Sequence, residues 1–377
     1  MDVNTRERRR QTRSNVYHYL YDAEGFCTRQ LLAQALGLSL PTIYQNLSDL
    51  METGLVRYAG QSQSTGGRKA SGLAIVPDAR IAVGVSITET RLRFTAVDLR
   101  LHEIAYHRIK YGSLSELEDL GLLLQRELEH FLDDYHIDRR RLLGVGIALP
   151  GVISAKGDRI LLAPTLPLRD MQHIQLNSLT KRIPYPTFVQ NDGTSSGYAE
   201  WFVQRSQANM AYLSLENGVG GAVIINGAVY NGDNRRSGEF GHMCVEPGGL
   251  PCACGKWGCL EAYCSAQRFS STLGVSLKEF FEGLKQGIPE YALLWNDYLH
   301  HLAVGVSNIR MALDCDVVLG GFMSRYLAPY LPMLKSYVAA NNPFEPEADF
   351  LRLGVLGTHA VPLGAALHFV QEFLDTV

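Results

Sequence analysis

The chain has 377 residues, of which 46% are hydrophobic and 19% are charged, as in an ordinary soluble globular protein of two or three domains. No apolar run follows its basic N-terminus, and the longest apolar stretch, residues 142–153, is interrupted by glycines and Pro150. Neither a secretory signal nor a membrane-spanning helix is expected, and with an odd count of seven cysteines this favours the reducing cytoplasm.

The net charge of −3 is unevenly distributed. Residues 1–76 hold nine Lys and Arg against six Asp and Glu, so this head is basic and the rest of the chain is acidic. Such a distribution is typical of a DNA-binding module attached to a body that does not itself bind nucleic acid.

The head begins with a helix-turn-helix pattern. Residues 15–24 are helical in pattern, Thr28 is a suitable N-cap for a helix over 29–36 that stops at Gly37, and Ser39 is a suitable N-cap for a third helix. In that third helix Ile43, Leu47 and Leu50 face inward. The side chains predicted to face outward, into the major groove of DNA, are those of Thr42, Tyr44, Gln45 and Asn46.

A two-stranded wing is predicted to follow, with strands over 55–58 and 72–76. Its tip over 64–69 is cationic, and Arg68 and Lys69 suit contact with phosphate or with the minor groove. The alternative is a three-helix module that binds protein and carries a solvated basic loop.

The body alternates strands and helices, which indicates an α/β fold. Strands are predicted over 81–98, 101–110, 142–149, 210–215, 222–225 and 317–319, and helices over 114–135, 192–206, 291–312 and 358–375.

A metal site is indicated by Cys252, Cys254 and Cys259, which lie within eight residues and follow His242 by ten. Three thiolates and an imidazole form a common closed, structural zinc set, and Gly255 and Gly258 suit a chain that turns tightly around an ion. Cys244 and Cys264 flank the cluster as possible competing ligands, and reduced core cysteines are the alternative interpretation.

The order Glu239-x-x-His242, then Cys252-x-Cys-Gly-x-x-Gly-Cys259-x-Glu261, resembles the signature of the ROK family of repressors, open reading frames and sugar kinases. The resemblance extends to the head and its Gly-Gly-Arg wing tip, which only the repressor branch carries. It implies a winged helix-turn-helix domain over 1–76 and a two-lobed, actin-like (ribonuclease H-like) body. The first lobe would span 77–190, with the C-terminal helix, 355–377, packing back on it, and the second lobe, with the zinc loop, would span 191–354.

The same resemblance implies a sugar cleft between the lobes. Asn191 and Asp192 match the Asn-Asp pair of the family's kinases, whose aspartate is the general base, while Glu239, His242 and Glu261 match sugar-contacting positions. Gly151 would let the backbone approach the ligand closely.

Departures from the family pattern fall on the phosphate loops. Asp-x-Gly-Gly-Thr is replaced by the sequence of residues 86–90, which includes Glu89, and Gly-Thr-Gly-x-Gly-Gly by that of 216–221, which begins with Glu216. Thr165 stands where many relatives have a sugar-binding asparagine. A carboxylate in such a loop repels a triphosphate, so ATP binding is expected to be lost.

These features predict a sugar-responsive transcription regulator, a repressor by preference, that is not an enzyme and binds double-stranded operator DNA as a homodimer or a dimer of dimers. The alternatives are an active sugar kinase with a regulatory head and a protein-binding module controlled by sugar. The residues leave open which sugar is bound, whether it is phosphorylated, and whether it relieves repression or activates.

Overall fold

The computed structural model describes residues 3–23, 25–61, 71–112, 119–154, 156–163, 175–204 and 208–377. The head consists of helices α1 (Val3–Asp22), α2 (Arg29–Leu36) and α3 (Leu40–Glu52) and an antiparallel pair of strands, β1 (Val56–Gln61) and β2 (Ser71–Ile75). Both predicted caps are confirmed: the side chain of Thr28 accepts a hydrogen bond from Leu31 N at 3.3 Å, and that of Ser39 accepts one from Thr42 N at 3.4 Å.

Two predictions for the head were wrong. The first helix begins at Val3 rather than at Asn15. Asn46 does not face outward: it is 3% exposed, and its Nδ2 donates to Thr42 O at 2.8 Å. The reason is helical spacing, since Asn46 follows Ile43 by three residues and shares the buried face with Leu47 and Leu50. The wing tip with Arg68 and Lys69 lies outside the described residues, so its role stays a prediction.

The body contains two five-stranded sheets with the same strand order and directions. The first has the order β5-β4-β3-β6-β9 and the second the order β12-β11-β10-β13-β14; in each, the first two pairs are antiparallel and the last two are parallel. The predicted two-lobed α/β fold is thus confirmed. The strands of the first lobe, with the β7-β8 hairpin, are β3 (Ile81–Ile87), β4 (Arg91–Val97), β5 (Glu103–Lys110), β6 (Leu142–Leu149), β7 (Val152–Ile153), β8 (Ile160–Leu162) and β9 (Thr187–Asn191). Those of the second are β10 (Met210–Leu215), β11 (Val219–Ile225), β12 (Ala228–Val229), β13 (Asp316–Gly320) and β14 (Leu351–Leu353).

Helices cover the sheets. They are α4 (Leu120–Asp134), α5 (Leu176–Thr180), α6 (Asp192–Val203), α7 (Leu260–Cys264), α8 (Gln267–Leu273), α9 (Leu277–Lys285), α10 (Pro289–Leu313), α11 (Ser324–Leu327), α12 (Leu331–Ala340) and α13 (Ala360–Thr376). The predicted start of α4 at Leu114 was wrong, because Asp119 has extended backbone and caps the helix by accepting from Leu122 N at 2.9 Å. Within the described part of the chain, no helix is both long and apolar enough to cross a membrane.

Helices α6 and α13 pack against each other, α13 on the first sheet and α6 on the second. Glycines allow the backbones to come close together. Between the two helices, a Cβ added at Gly364 would lie 1.7 Å from Ser195 O, and between α13 and the first sheet, one added at Gly84 of β3 would lie 1.7 Å from Pro362 O. Ser195 Oγ also donates to Val361 O at 2.9 Å. The two lobes therefore meet through helices whose backbones are nearly in contact.

The far end of α13 packs against the head. Tyr17 and Leu20 of α1 share one hydrophobic cluster with Leu99 of the first lobe and with Val370 and Leu374 of α13. Polar contacts reinforce the junction: His18 Nε2 donates to Leu374 O at 2.9 Å, and Tyr21 Oη donates to Leu99 O at 2.7 Å. Head and body thus share a continuous core.

Replacement of Gly364 by alanine should destabilise the protein, because the added methyl group meets backbone that cannot move aside. Overpacking of this kind costs about 1–3 kcal/mol, which corresponds to a fall in Tm of about 2–10 °C. Thermal unfolding of Gly364→Ala and Gly220→Ala provides the comparison, since a Cβ at Gly220 has no neighbour within 4 Å. Equal melting temperatures for the two variants would contradict the close contact between the helices.

Candidate functional site

One cleft collects the six residues that the sequence predicts for ligand binding. Its volume is about 130 Å³, and its lining includes Gly151, Asn191, Asp192, Glu239, His242 and Glu261. Both loops that depart from the family pattern line it too, through Thr88 and Glu89 on one side and residues 216–220 on the other. Thr165 lies outside the described residues. Residues separated by more than a hundred positions are thus brought to one place.

The first lobe contributes the ends of two adjacent parallel strands. Because β6 pairs with β9, Leu149 lies beside Asn191, and the turn at Gly151 follows directly. Asn191 caps α6: its Oδ1 accepts from Thr194 N at 2.9 Å, and its Nδ2 donates to Gly151 O at 3.0 Å. Gly151 has a φ of 122°, which favours glycine. The backbone therefore fixes the Asn191 side chain at the edge of the cleft.

The second lobe contributes Glu239 and His242 from a short 3₁₀ turn and Glu261 from the start of α7. The turn lies directly on β11, since a Cβ added at Gly241 would be 2.0 Å from Val219 O. Glu261 Oε2 accepts from Val219 N at 2.8 Å. The acidic side chains of this lobe are thus positioned by β11.

Three carboxyl groups in the cleft have raised pKa values. Burial raises the pKa of Asp192 to about 6. Burial and the nearby charge of Asp192 raise the pKa of Glu216 to about 7, with Arg93 acting in the opposite direction. The pKa of Glu239 is raised by burial too, although His242 opposes the shift. The cleft therefore holds protons more readily than solvent-exposed carboxyl groups do.

Backbone amides of the two departing loops are already hydrogen-bonded within the protein. Thr88 N donates to Arg91 O at 2.9 Å, which closes the β3-β4 turn, and Glu216 N donates to Gly218 O at 3.0 Å. Val219 N is taken by Glu261, as described above. These three amides are consequently not free for a ligand oxygen.

The predicted metal ligands form a compact cluster beside the cleft. One ligand atom from each of His242, Cys252, Cys254 and Cys259 lies within 4.8 Å of the other three. Cys254 Sγ lies 3.7 Å from Cys259 Sγ, and Cys252 Sγ lies 3.9 Å from His242 Nδ1. The turn at Gly258, with a φ of 76°, excludes a side chain, because a Cβ there would be 1.9 Å from Glu246 O. The arrangement can hold a metal ion.

The two other cysteines near this loop do not belong to that set of four. Cys264 is buried, and its Sγ contacts Tyr298 O at 3.6 Å. Cys244 is exposed.

Cluster and cleft are joined by two side chains. His242 lines the cleft while its Nδ1 faces Cys252. Glu261 Oε1 lies 3.8 Å from Cys252 Sγ, and its other oxygen binds β11. These two side chains therefore connect the cluster with the cleft.

The exposed face of α3 carries three of the four predicted DNA contacts, Thr42, Tyr44 and Gln45, and Tyr44 is 52% exposed. The sequence did not reveal the residue that orients Tyr44, which is Arg29. The guanidinium of Arg29 lies 4.5 Å from the Tyr44 ring centroid and also binds the hydroxyl of Tyr58 on β1. An arginine at the start of α2 gives no signal of this role, because its partners are distant in sequence.

Another missed residue is Glu200, a fully buried carboxylate in α6. It accepts hydrogen bonds from Val355 N and Leu356 N, both at 2.9 Å, in the segment that leads into α13. The sequence predicts a helix there but gives no sign that Glu200 is buried, so only the three-dimensional structure identifies this link.

Comparison with known proteins gives consistent matches. A model of the ROK family matches residues 82–372. A xylose repressor of Bacillus spizizenii is 28% identical over 366 residues, which are 93% of this chain and 92% of the relative. Among solved structures, a ROK family transcriptional regulator described as a homolog of the E. coli MLC protein has a TM-score of 0.76 at 20% identity, over 98% of this chain and 97% of that one. A ROK hexokinase from Thermus thermophilus has a TM-score of 0.66 at 24% identity, over 78% of this chain and 99% of that one. Regulators and kinases thus share the fold of the body.

The raised pKa of Glu216 predicts a pH-dependent stability difference. An unfolded glutamate has a pKa of about 4.3, so the folded protein binds a proton more tightly, and this carboxyl lowers the free energy of unfolding as pH rises from about 4 to about 7. Glu216→Gln removes the effect and should raise Tm at pH 8 by about 2 °C or more, with little change at about pH 4.5. Glu347→Gln, at an exposed glutamate, is the control. If Glu216→Gln differed from the wild type by the same Tm at both pH values, the raised pKa of Glu216 would be contradicted.

Proposed function

The chain belongs to the ROK family, and from this premise we propose that it is a sugar-responsive transcription repressor that binds operator DNA through its winged head. One observation carries the proposal: a single molecule combines an exposed α3 face, a polar interlobe cleft and a continuous core that joins the two. The xylose repressor, similar over almost the whole chain, supports the same conclusion. The protein would act in the cytoplasm.

The ligand of the cleft would be a sugar. Carboxylates accept hydrogen bonds from hydroxyl groups, and carboxamides both accept and donate them. Asn191, Asp192, Glu239 and Glu261 converge on one small volume. The proposed contacts are completed by His242 and by the backbone at Gly151. A volume of about 130 Å³ can accommodate one monosaccharide ring.

The metal cluster fits zinc, because three cysteines and one histidine within a compact set are a donor set that zinc prefers. A bound zinc ion would be structural, since four protein ligands leave no open position. His242 and the three cysteines would hold the turn that carries Glu239 close to the start of α7, which carries Glu261. Loss of these ligands would therefore loosen the second-lobe side of the cleft.

A route from cleft to head follows from the contacts of α6 and α13. Asn191 and Asp192 stand at the start of α6, Ser195 binds α13, and Glu200 binds the segment before α13. The far end of α13 contacts α1 through His18. A sugar that shifts the start of α6 would thus move α13 and, with it, the head.

A sugar kinase is the second candidate, favoured by Asp192 in the cleft and by the likeness of the body to a hexokinase. Against it stand the carboxylates of Glu89 and Glu216 and the internally bonded amides of Thr88 and Glu216. A phosphate-binding loop needs amides that are free to approach the phosphate oxygens, and an added carboxylate beside them repels the phosphate. Turnover of hexoses with ATP and magnesium above about 1 s⁻¹ would favour the kinase over the repressor.

The test of the repressor function is selection of a duplex from a random pool, followed by titration of the selected site with monosaccharides. The proposal expects one enriched site with two half-sites about one or two helical turns apart, because the protein would bind as a homodimer or a dimer of dimers. It also expects at least one monosaccharide to change the affinity. No enriched duplex, or no response to any sugar, would contradict it.

Gln45→Ala should weaken binding to that site by about 10- to 100-fold, because loss of a bidentate contact to a base costs about 1–3 kcal/mol. Preference for the base at one position should relax at the same time. Fluorescence anisotropy with the selected duplex measures both effects, and Gln286→Ala, at an exposed position in the second lobe, is the control. If the two variants bound the selected duplex with equal affinity, Gln45 would not be a DNA contact.

Cys254→Ser should lose zinc, lower Tm and reduce the effect of sugar on operator binding, since metal binding contributes local folding energy. Cys244→Ser is the matched control, because Cys244 is exposed and lies outside the set of four. Less than about half an equivalent of zinc in chelator-free protein would reject the site. A full sugar response in Cys254→Ser would reject only its coupling to the cleft.

A further inference from the structure

Carboxyl groups line the cleft from both lobes. They belong to Glu89, Asp192, Glu216, Glu239 and Glu261. None of the described lining residues is a lysine or an arginine. The ligand space is therefore negatively charged at neutral and alkaline pH.

Glu216 lies at the start of the turn between β10 and β11 and extends over Gly321, the residue that follows β13. A Cβ added at Gly321 would lie 2.8 Å from Glu216 Cγ, so the glutamate side chain rests directly on that glycine. Asp192 is close enough for its charge to raise the pKa of Glu216. Arg93 on β4 is the cation that acts on Glu216, and it offsets these effects only in part.

Hydrogen-bond donors for an anion are also occupied at the start of α6. Gly193 N donates to Asp192 Oδ1 at 2.9 Å, and Thr194 N donates to Asn191 Oδ1 at 2.9 Å. The amides of Thr88, Glu216 and Val219 are likewise bonded within the protein. A phosphate group in this space would thus meet carboxylates, and these five amides would not be free to bind it.

We propose that the effector is an unphosphorylated monosaccharide and that Glu216 is the residue that excludes phosphorylated sugars from the cleft. This inference rests on the proposed function, because it specifies the ligand of the same site. A hydroxyl group donates a hydrogen bond to a carboxylate, whereas a phosphate ester carries nearly two negative charges and is repelled by it. If the phosphate and the Glu216 carboxylate are about 6–8 Å apart and the effective dielectric constant is about 20, their repulsion lowers the affinity for the phosphorylated sugar by more than about tenfold.

Isothermal titration calorimetry of the full chain at pH 8 provides the test, since Asp192 and Glu216 are both ionised there. Three matched pairs serve as probes: D-xylose with its 1-phosphate, which keeps the six-membered ring, D-glucose with its 6-phosphate, and N-acetylglucosamine with its 6-phosphate. We expect at least one parent sugar to bind and its ester to bind at least about 30-fold more weakly.

Two variants assign the exclusion to charge. Glu216→Gln keeps the shape of the side chain. It should reduce the ratio of the dissociation constant of the ester to that of the parent sugar by about tenfold or more. Glu89→Gln, on the exposed β3-β4 turn, should narrow it by about threefold, because solvent screens an exposed charge. Glu347→Gln, exposed and outside the cleft, should leave the ratio unchanged.

An ester that binds as tightly as its parent would overturn the inference while leaving a sugar-responsive repressor intact. An ester that binds weakly to the wild type and to both cleft variants would overturn the role of Glu216, because exclusion would then be steric. If no parent and no ester binds, the inference fails together with the sugar response, and operator binding by the same preparation shows whether the repressor function stands alone.

Discussion

The packing of α6 against α13 is the contact on which the rest of the molecule depends. Glycines at 84, 146 and 364 bring α13 so close to the first sheet and to α6 that an added Cβ at any of them would lie within 2 Å of a backbone oxygen. Closely packed backbones of this kind move together rather than deform. Because α6 starts in the cleft and α13 ends at the head, we expect a displacement of one helix to be passed to the other.

On the second-lobe side of the cleft, the segments that carry the ligand-binding residues are held in a different way, through polar side chains and the cysteine cluster. Glu261 contacts β11 with one oxygen and lies near Cys252 with the other. The same fold serves kinases and regulators. Acidic residues at 89 and 216 occupy loops that in a kinase would surround phosphate, and this favours a cleft that senses sugar without transferring a phosphoryl group.

Local signals made much of this structure predictable. Caps at Thr28 and Ser39 and the end of α2 at Gly37 follow from short-range hydrogen bonding, and the spacing of three cysteines after His242 was enough to identify the cluster. Asn46 was misplaced because a polar residue type outweighed its position on the buried face of α3. Glu200 and Arg29 could not be found, since their partners lie far along the chain, and neither could the close approach of α6 and α13.

Hydrogen-deuterium exchange of the full chain, with and without a monosaccharide that changes operator binding, tests the central claim most directly. Exchange reports local opening along each helix, so a coupled set of helices should respond together. The account predicts altered exchange in α6, in α13 and in α1, including the turns that carry Leu374 and His18. Altered exchange confined to the cleft loops, with α13 and α1 unchanged while the sugar still releases DNA, would contradict it.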